Sequence, residues 1–187
     1  MVKIQVYTKQ DIKFDFNKHV DLILSVVPQN HLILLDKISF VDSYDKKIGC
    51  DQDGFGCYYF EKKSGTILIN LSNLIKHRIP LYLLNYYVEI ASLYLSEIIG
   101  HEIGHHVDRF WKHGTKDKER YAQKYAEVCY YNYFKKRKKT ILLSYFLGEI
   151  NILDFSKKDR LLFKERRKEH SQWFHDNESK FDLSGYP

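Results

Sequence analysis

The apolar and polar positions of this chain change period several times, and each change predicts an element. Residues 2–7 alternate well enough for a first strand. Phe16, Val20, Leu24 and Val27 then recur at helical spacing, with Asp15 or Asn17 available as a cap and Pro28 as a stop. Residues 31–35 are ambiguous between a helical turn and a strand entry. Residues 37–42 read as strand, with Ile38 and Phe40 on one face. The Asp- and Gly-rich residues 43–56 predict a loop, and 57–61 with 66–70 predict a hairpin across 62–65. Within that loop, Asp51-Gln52-Asp53-Gly54 lacks the later glutamate of a calcium loop and reads as a turn.

Pro80 can open a helix over residues 81–111, with a break expected near 92–96. Its tyrosines and leucines over 81–95 read as core. After a turn at 112–114, Thr115 caps a second helix that begins KDKERYAQKYAEV. From residue 135 the chain runs KKRKK, then an apolar stretch at 141–147, then a charged helix over 157–177 carrying Leu161, Leu162, Phe163, Trp173 and Phe174. The expected architecture is α+β: about four twisted strands against the central helices, with a helical C-terminal extension. The one plausible boundary lies near Thr140, which divides the chain into a domain at 1–139 and a basic extension at 140–187 packed on it.

Composition narrows the classes. Of 187 residues, 44% are hydrophobic and 16% aromatic, enough for a core of good size. Asn85, Glu89 and Glu97 interrupt the longest apolar stretch, so no membrane span is expected. Cys50, Cys57 and Cys129 are an odd count, which predicts reduced thiols. Together with an N-terminus lacking a signal-peptide core, this predicts a cytoplasmic location. The net charge of +6 creates an attractive field for acidic proteins, nucleic acid or anionic lipid without choosing among them. The KKRKK run reads as a solvated helix end in preference to a nucleic-acid contact.

The chemistry concentrates in residues 96–134. His101, Glu102 and His105 spell H-E-x-x-H, and on a helix positions i and i+4 share a face, so both imidazoles can reach one metal ion with Glu102 beside it. Ile98, Ile99, Ile103 and Val107 give that helix an apolar stripe for the core, leaving the histidines to line a cleft. A catalytic zinc generally takes three protein ligands. Asp108 and Trp111 occupy the positions where a metzincin carries Gly and His, which leaves a carboxylate from the following helix. Glu119, in its first turn, is the favoured candidate. Glu127 lies two turns further on, and Asp117 is the weaker rival. Gly100 and Gly104 weaken the motif helix and predict close approach of a neighbouring element under the site. His19 and His31 read as ordinary histidines, and His106 as packing on the helix's other side.

HEIGHH followed by ERYAQKYA at 119–126 resembles the gluzincin pattern of H-E-x-x-H and E-x-x-A-N-x-F-A, typical of ImmA/IrrE-type metallopeptidases and minimal gluzincins. Residues 53–74 resemble the strand, hairpin and strand of that group, ending in I-x-I-N. The resemblance covers about half the chain. It implies a zincin-like fold, Zn2+ held by His101, His105 and Glu119, Glu102 as general base, and a protein or peptide substrate. It also implies that Gln123, standing where the group has Asn, accepts a hydrogen bond from a ligand histidine. The second hairpin strand would border the cleft and offer its outer edge to an extended peptide. The alternative readings are a zinc-bearing regulator with little peptidase activity and a metal-free nucleic-acid binder.

Overall fold

The computed structural model describes residues 1–112, 117–150 and 156–177. Strand β1 (Lys3–Tyr7) leads to helix α1 (Phe16–Leu24), which the Asp15 side chain caps by accepting from the Lys18 N–H. A 3₁₀ turn at Gln29–Leu32 resolves the ambiguous stretch and delivers the chain to β2 (Leu35–Val41). The hairpin follows as β3 (Gly56–Glu61) and β4 (Ser64–Asn70). Its turn is tighter than the sequence implies: Lys62 and Lys63 alone form it, both at positive φ (49° and 74°). That is the geometry by which a two-residue connection matches the twist of paired strands.

The strand order is β1-β2-β4-β3, with β1, β2 and β4 parallel and β3 antiparallel to β4. This corrects one expectation. β4 is interior, hydrogen-bonded on both sides, and the strand that borders the cleft with a free outer edge is β3. Ile38, Phe40, Ile67 and Ile69 are fully buried on the face shared with Val20 and Ile23 of α1. On the opposite face Leu68 packs with Tyr44 and Cys50 of the long loop. Two buried faces explain why β4 reads TILIN without alternation.

Three helices follow where one was expected: α2 (Leu71–His77), α3 (Leu81–Tyr86) and α4 (Val88–Val107). The break falls at Tyr87, between α3 and α4, while α4 runs unbroken through 92–96. Ser92 and Ser96 survive inside it because their hydroxyls donate to the carbonyls of Val88 and Leu93. A wide π-helical turn (Asp108–Lys112) ends this segment.

Helix α5 (Lys118–Glu149) begins later than expected. Asp117, not Thr115, is its cap and accepts from the Arg120 N–H; Thr115 itself lies outside the described residues. Thr140 lies inside α5, which continues nine residues further to Glu149. Helix α6 (Lys157–Asn177) packs along α5 through Phe163 and Phe174, the latter stacked on Phe134 at 3.4 Å between centroids. Leu161 and Leu162 of the same helix are exposed. Among the described residues no helix is long and apolar enough to cross a membrane.

The cysteine expectation is overturned. Cys50 and Cys57 form a disulfide that fastens the 43–56 loop to β3, and Cys129 alone is free, buried between α4 and α5. The odd count hid one pair and one core residue.

Candidate metal centre

Helix α4 crosses beneath the sheet with most of its surface covered, so polar side chains on it are fixed in place by packing. His19 and His31 are buried partners of the Ser92 and Tyr125 hydroxyls, at 2.7 and 2.8 Å. His106 is fully buried beneath the hairpin. Its Nε2–H donates to the Ile33 carbonyl (2.9 Å), which leaves Nδ1 to accept from the Tyr58 hydroxyl (3.1 Å). Burial holds its pKa below the usual histidine value.

His101 and His105 project from the opposite side of α4 into an open cleft of about 920 Å³. Their Nε2 atoms lie 3.1 Å apart, and Glu119 reaches across from the first turn of α5 to within 3.4 Å of each. A tetrahedral zinc with bonds of about 2.0–2.1 Å requires ligand atoms about 3.3 Å apart. The donor set therefore fits one small cation in number, type and spacing. His101, His105 and Glu119 are the group among the described residues that could hold a metal ion. Glu127 lies outside it, and the Asp117 side chain is committed to its own helix cap.

Glycine brings α5 within reach. The Cβ that Gly100 lacks would lie 2.7 Å from the Cys129 Cβ and 3.2 Å from the Ala126 Cα, and the one that Gly104 lacks would lie 2.7 Å from the Ala122 Cα. The two helices thus cross backbone to backbone directly under the histidines, as their spacing in the sequence suggested.

Glu102 lies apart from the cluster, 5% exposed and pressed against β3. A side chain at Gly56 would overlap its carboxylate, and the Tyr58 backbone N–H donates to it. Burial raises its pKa to about 8, against the Tyr58 hydrogen bond and with help from the charge of Glu119. Burial also lowers the pKa of His105, which the charge of Glu119 partly offsets. A neutral imidazole is the form that can ligate a metal.

Some participants were not legible in the sequence. Gly56, Tyr58, Asp108 and Arg109 line the cleft, with the Arg109 guanidinium 4.5 Å over the Phe60 ring. Only the position of β3 beside α4 could have identified Gly56 and Tyr58. Gln123 is exposed beside His101, and no hydrogen bond joins it to either histidine among the described residues. His113 lies outside the described residues. The Cys50–Cys57 disulfide forms part of the cleft rim. Comparison with family models, with curated proteins and with solved structures returns no match.

Proposed function

We propose that this chain is a zinc metallopeptidase of gluzincin type that hydrolyses peptide bonds in protein or peptide substrates. The observation that carries the reading is the triangle of His101, His105 and Glu119, with ligand atoms 3.1–3.4 Å apart beside a separate, buried Glu102. The antiparallel edge strand β3 beside the HEIGHH helix also supports a zincin-like arrangement.

When bound, a zinc ion supplies a Lewis acid and an acidified water at its open position. The protein's own part follows from geometry. Glu102 lines the same cleft without belonging to the ligand group, so it suits a base that takes the proton of the attacking water and returns it to the leaving amine. The Tyr58 N–H fixes the carboxylate against β3. Glu119 is 78% exposed at its side chain, which leaves the metal position open to a macromolecular substrate.

The KKRKK run supports a structural role better than a nucleic-acid contact. Arg137 is drawn into a bidentate pair with Glu89, and Lys136 donates to the Ser25 hydroxyl. As to location, a reducing cytoplasm does not ordinarily sustain a disulfide. Residence there predicts two free thiols at the cleft rim, and an oxidising compartment predicts none.

Elemental analysis tests the reading directly: zinc per chain in the wild type and in Glu119→Ala after identical dialysis. One zinc in the wild type, lost in the variant, is expected. A folded wild type without zinc would end the metallopeptidase reading, and zinc retained without Glu119 would assign the third ligand elsewhere.

A further inference from the structure

The cleft at the metal centre continues beyond it. It shares Gly54, Gly56, His101 and Glu102 with a hollow of about 330 Å³. That hollow shares Glu97 and Gln123 with a third, of about 600 Å³, whose far wall is α6. The floor of this path is built by helical periodicity. Glu119, Gln123, Glu127 and Tyr130 follow one another at i, i+4, i+8 and i+11 along α5, and His105, His101 and Glu97 run antiparallel to them along α4.

The far hollow has a definite chemistry. Glu97 is paired with Arg78 at 2.6 Å, and Glu169 with Arg166 at 3.5 Å. Both ring nitrogens of His170 are engaged by the Tyr130 and Tyr145 hydroxyls. Glu127 has neither an ion pair nor a hydrogen bond among the described residues. Beside it Tyr130 and Trp173 meet edge to face, 5.6 Å between centroids. A carboxylate with aromatic walls suits a lysine or arginine side chain, whose stem lies on the rings while its charge meets the acid.

We propose that this groove is the substrate channel of the peptidase and that α6 closes its far end, where Glu127, Tyr130 and Trp173 bind a basic side chain of the substrate. The inference rests on the peptidase reading. The eight residues from Glu119 to Glu127 span about 12 Å of helix. At about 3.3 Å per residue of extended peptide, the basic residue lies three to four positions from the cleaved bond, on one side of it. The C-terminal helix is then part of the specificity apparatus, and a substrate that uses it extends about four residues to one side of the cleaved bond.

The test digests a proteome-derived peptide mixture with the zinc-loaded full chain and maps the cleaved bonds by mass spectrometry. The wild type is expected to enrich Lys and Arg about fivefold at three to four residues on one side, the scale of one partly exposed ion pair. Glu127→Lys, with zinc content and Tm checked against the wild type, is expected to abolish that enrichment and favour Asp and Glu there. Trp173→Ala is expected to weaken it without reversing it. Cleavage with no enrichment at that distance, or enrichment unchanged in Glu127→Lys, overturns the channel and leaves the peptidase standing. A zinc-loaded wild type that cleaves nothing in the mixture overturns both.

Discussion

Gly104 and Ala122 meet so closely that a Cβ on the glycine would stand 2.7 Å from the alanine Cα. Three residues before Ala122 is Glu119, and one residue after Gly104 is His105, so the same contact sets how far the carboxylate lies from the imidazole. The candidate metal centre is in this sense a property of the α4–α5 crossing.

Gly104→Ala separates local from tertiary effects. An alanine in a helix interior is intrinsically better than glycine by about 1 kcal/mol. Here it meets a backbone atom that cannot rotate away, so overpacking should prevail and lower stability by about 1–3 kcal/mol. Zinc affinity should fall as well, because α5 must retreat. Thermal melts and zinc titration read the two effects, and a higher Tm with unchanged affinity would contradict this account of the crossing.

Glu102→Gln should retain zinc while cleavage falls by about 10²- to 10⁴-fold, the usual worth of a positioned base. The variant also carries a pH signature in metal-free protein. The Glu102 pKa is raised in the fold from 4.5 to about 8, so its stabilising contribution is complete below pH 4.5 and is lost progressively up to about pH 8. The Tm of metal-free Glu102→Gln should therefore depend less on pH across that window and exceed the wild-type Tm at pH 8. Parallel melting curves for the two proteins would count against a carboxyl whose proton affinity burial raises.

His170 holds α6 to α5 through two tyrosine hydroxyls, and this works with a neutral ring, which donates at one nitrogen and accepts at the other. Burial, aided by Arg166, lowers its pKa from 6.5 to about 4. The unfolded chain binds the extra proton first, so the contribution of this contact is present above pH 6.5 and is lost as pH falls toward 4. In a Trp111→Phe background, Trp173 emission should shift to the red over that range. His170→Gln should remove the dependence, and an emission flat from pH 7 to pH 4 in the parent would show that the ring does not hold the helix.

The disulfide predicts a thiol count. Native protein should offer no readily alkylated cysteine, since Cys50 and Cys57 are joined and burial raises the Cys129 pKa to about 12. Reduction should expose two thiols and lower stability by about 2–3 kcal/mol, the chain-entropy value for so short a loop. Two thiols titrating in native, unreduced protein would refute the bridge.

Local chemistry was legible in advance. The strand at 37–42, the hairpin and the shared face of His101 and His105 all follow from local spacing, where the backbone period alone fixes which side chains are neighbours, while the cap of α1 was narrowed to Asp15 or Asn17. Gly100 and Gly104 signalled a close crossing for the same reason: a missing side chain in a helix otherwise needs explaining. The break at Tyr87 was misplaced because serines at 92 and 96 suggest weakness by propensity, and only the buried surroundings of α4 turn their hydroxyls back onto its own carbonyls.

What the sequence determined by itself was the helical period of HEIGHH and a short list of carboxylates that could complete it. Tertiary structure decided that β3 and not β4 stands at the edge, that Cys50 reaches Cys57, that Glu102 is buried beneath Gly56 while Glu119 stays exposed, and that α6 returns to the groove leading from the histidines. Each of these is a contact between residues far apart in the chain or in different elements. Such contacts depend on how strands order and helices cross, and no periodicity within a segment encodes that.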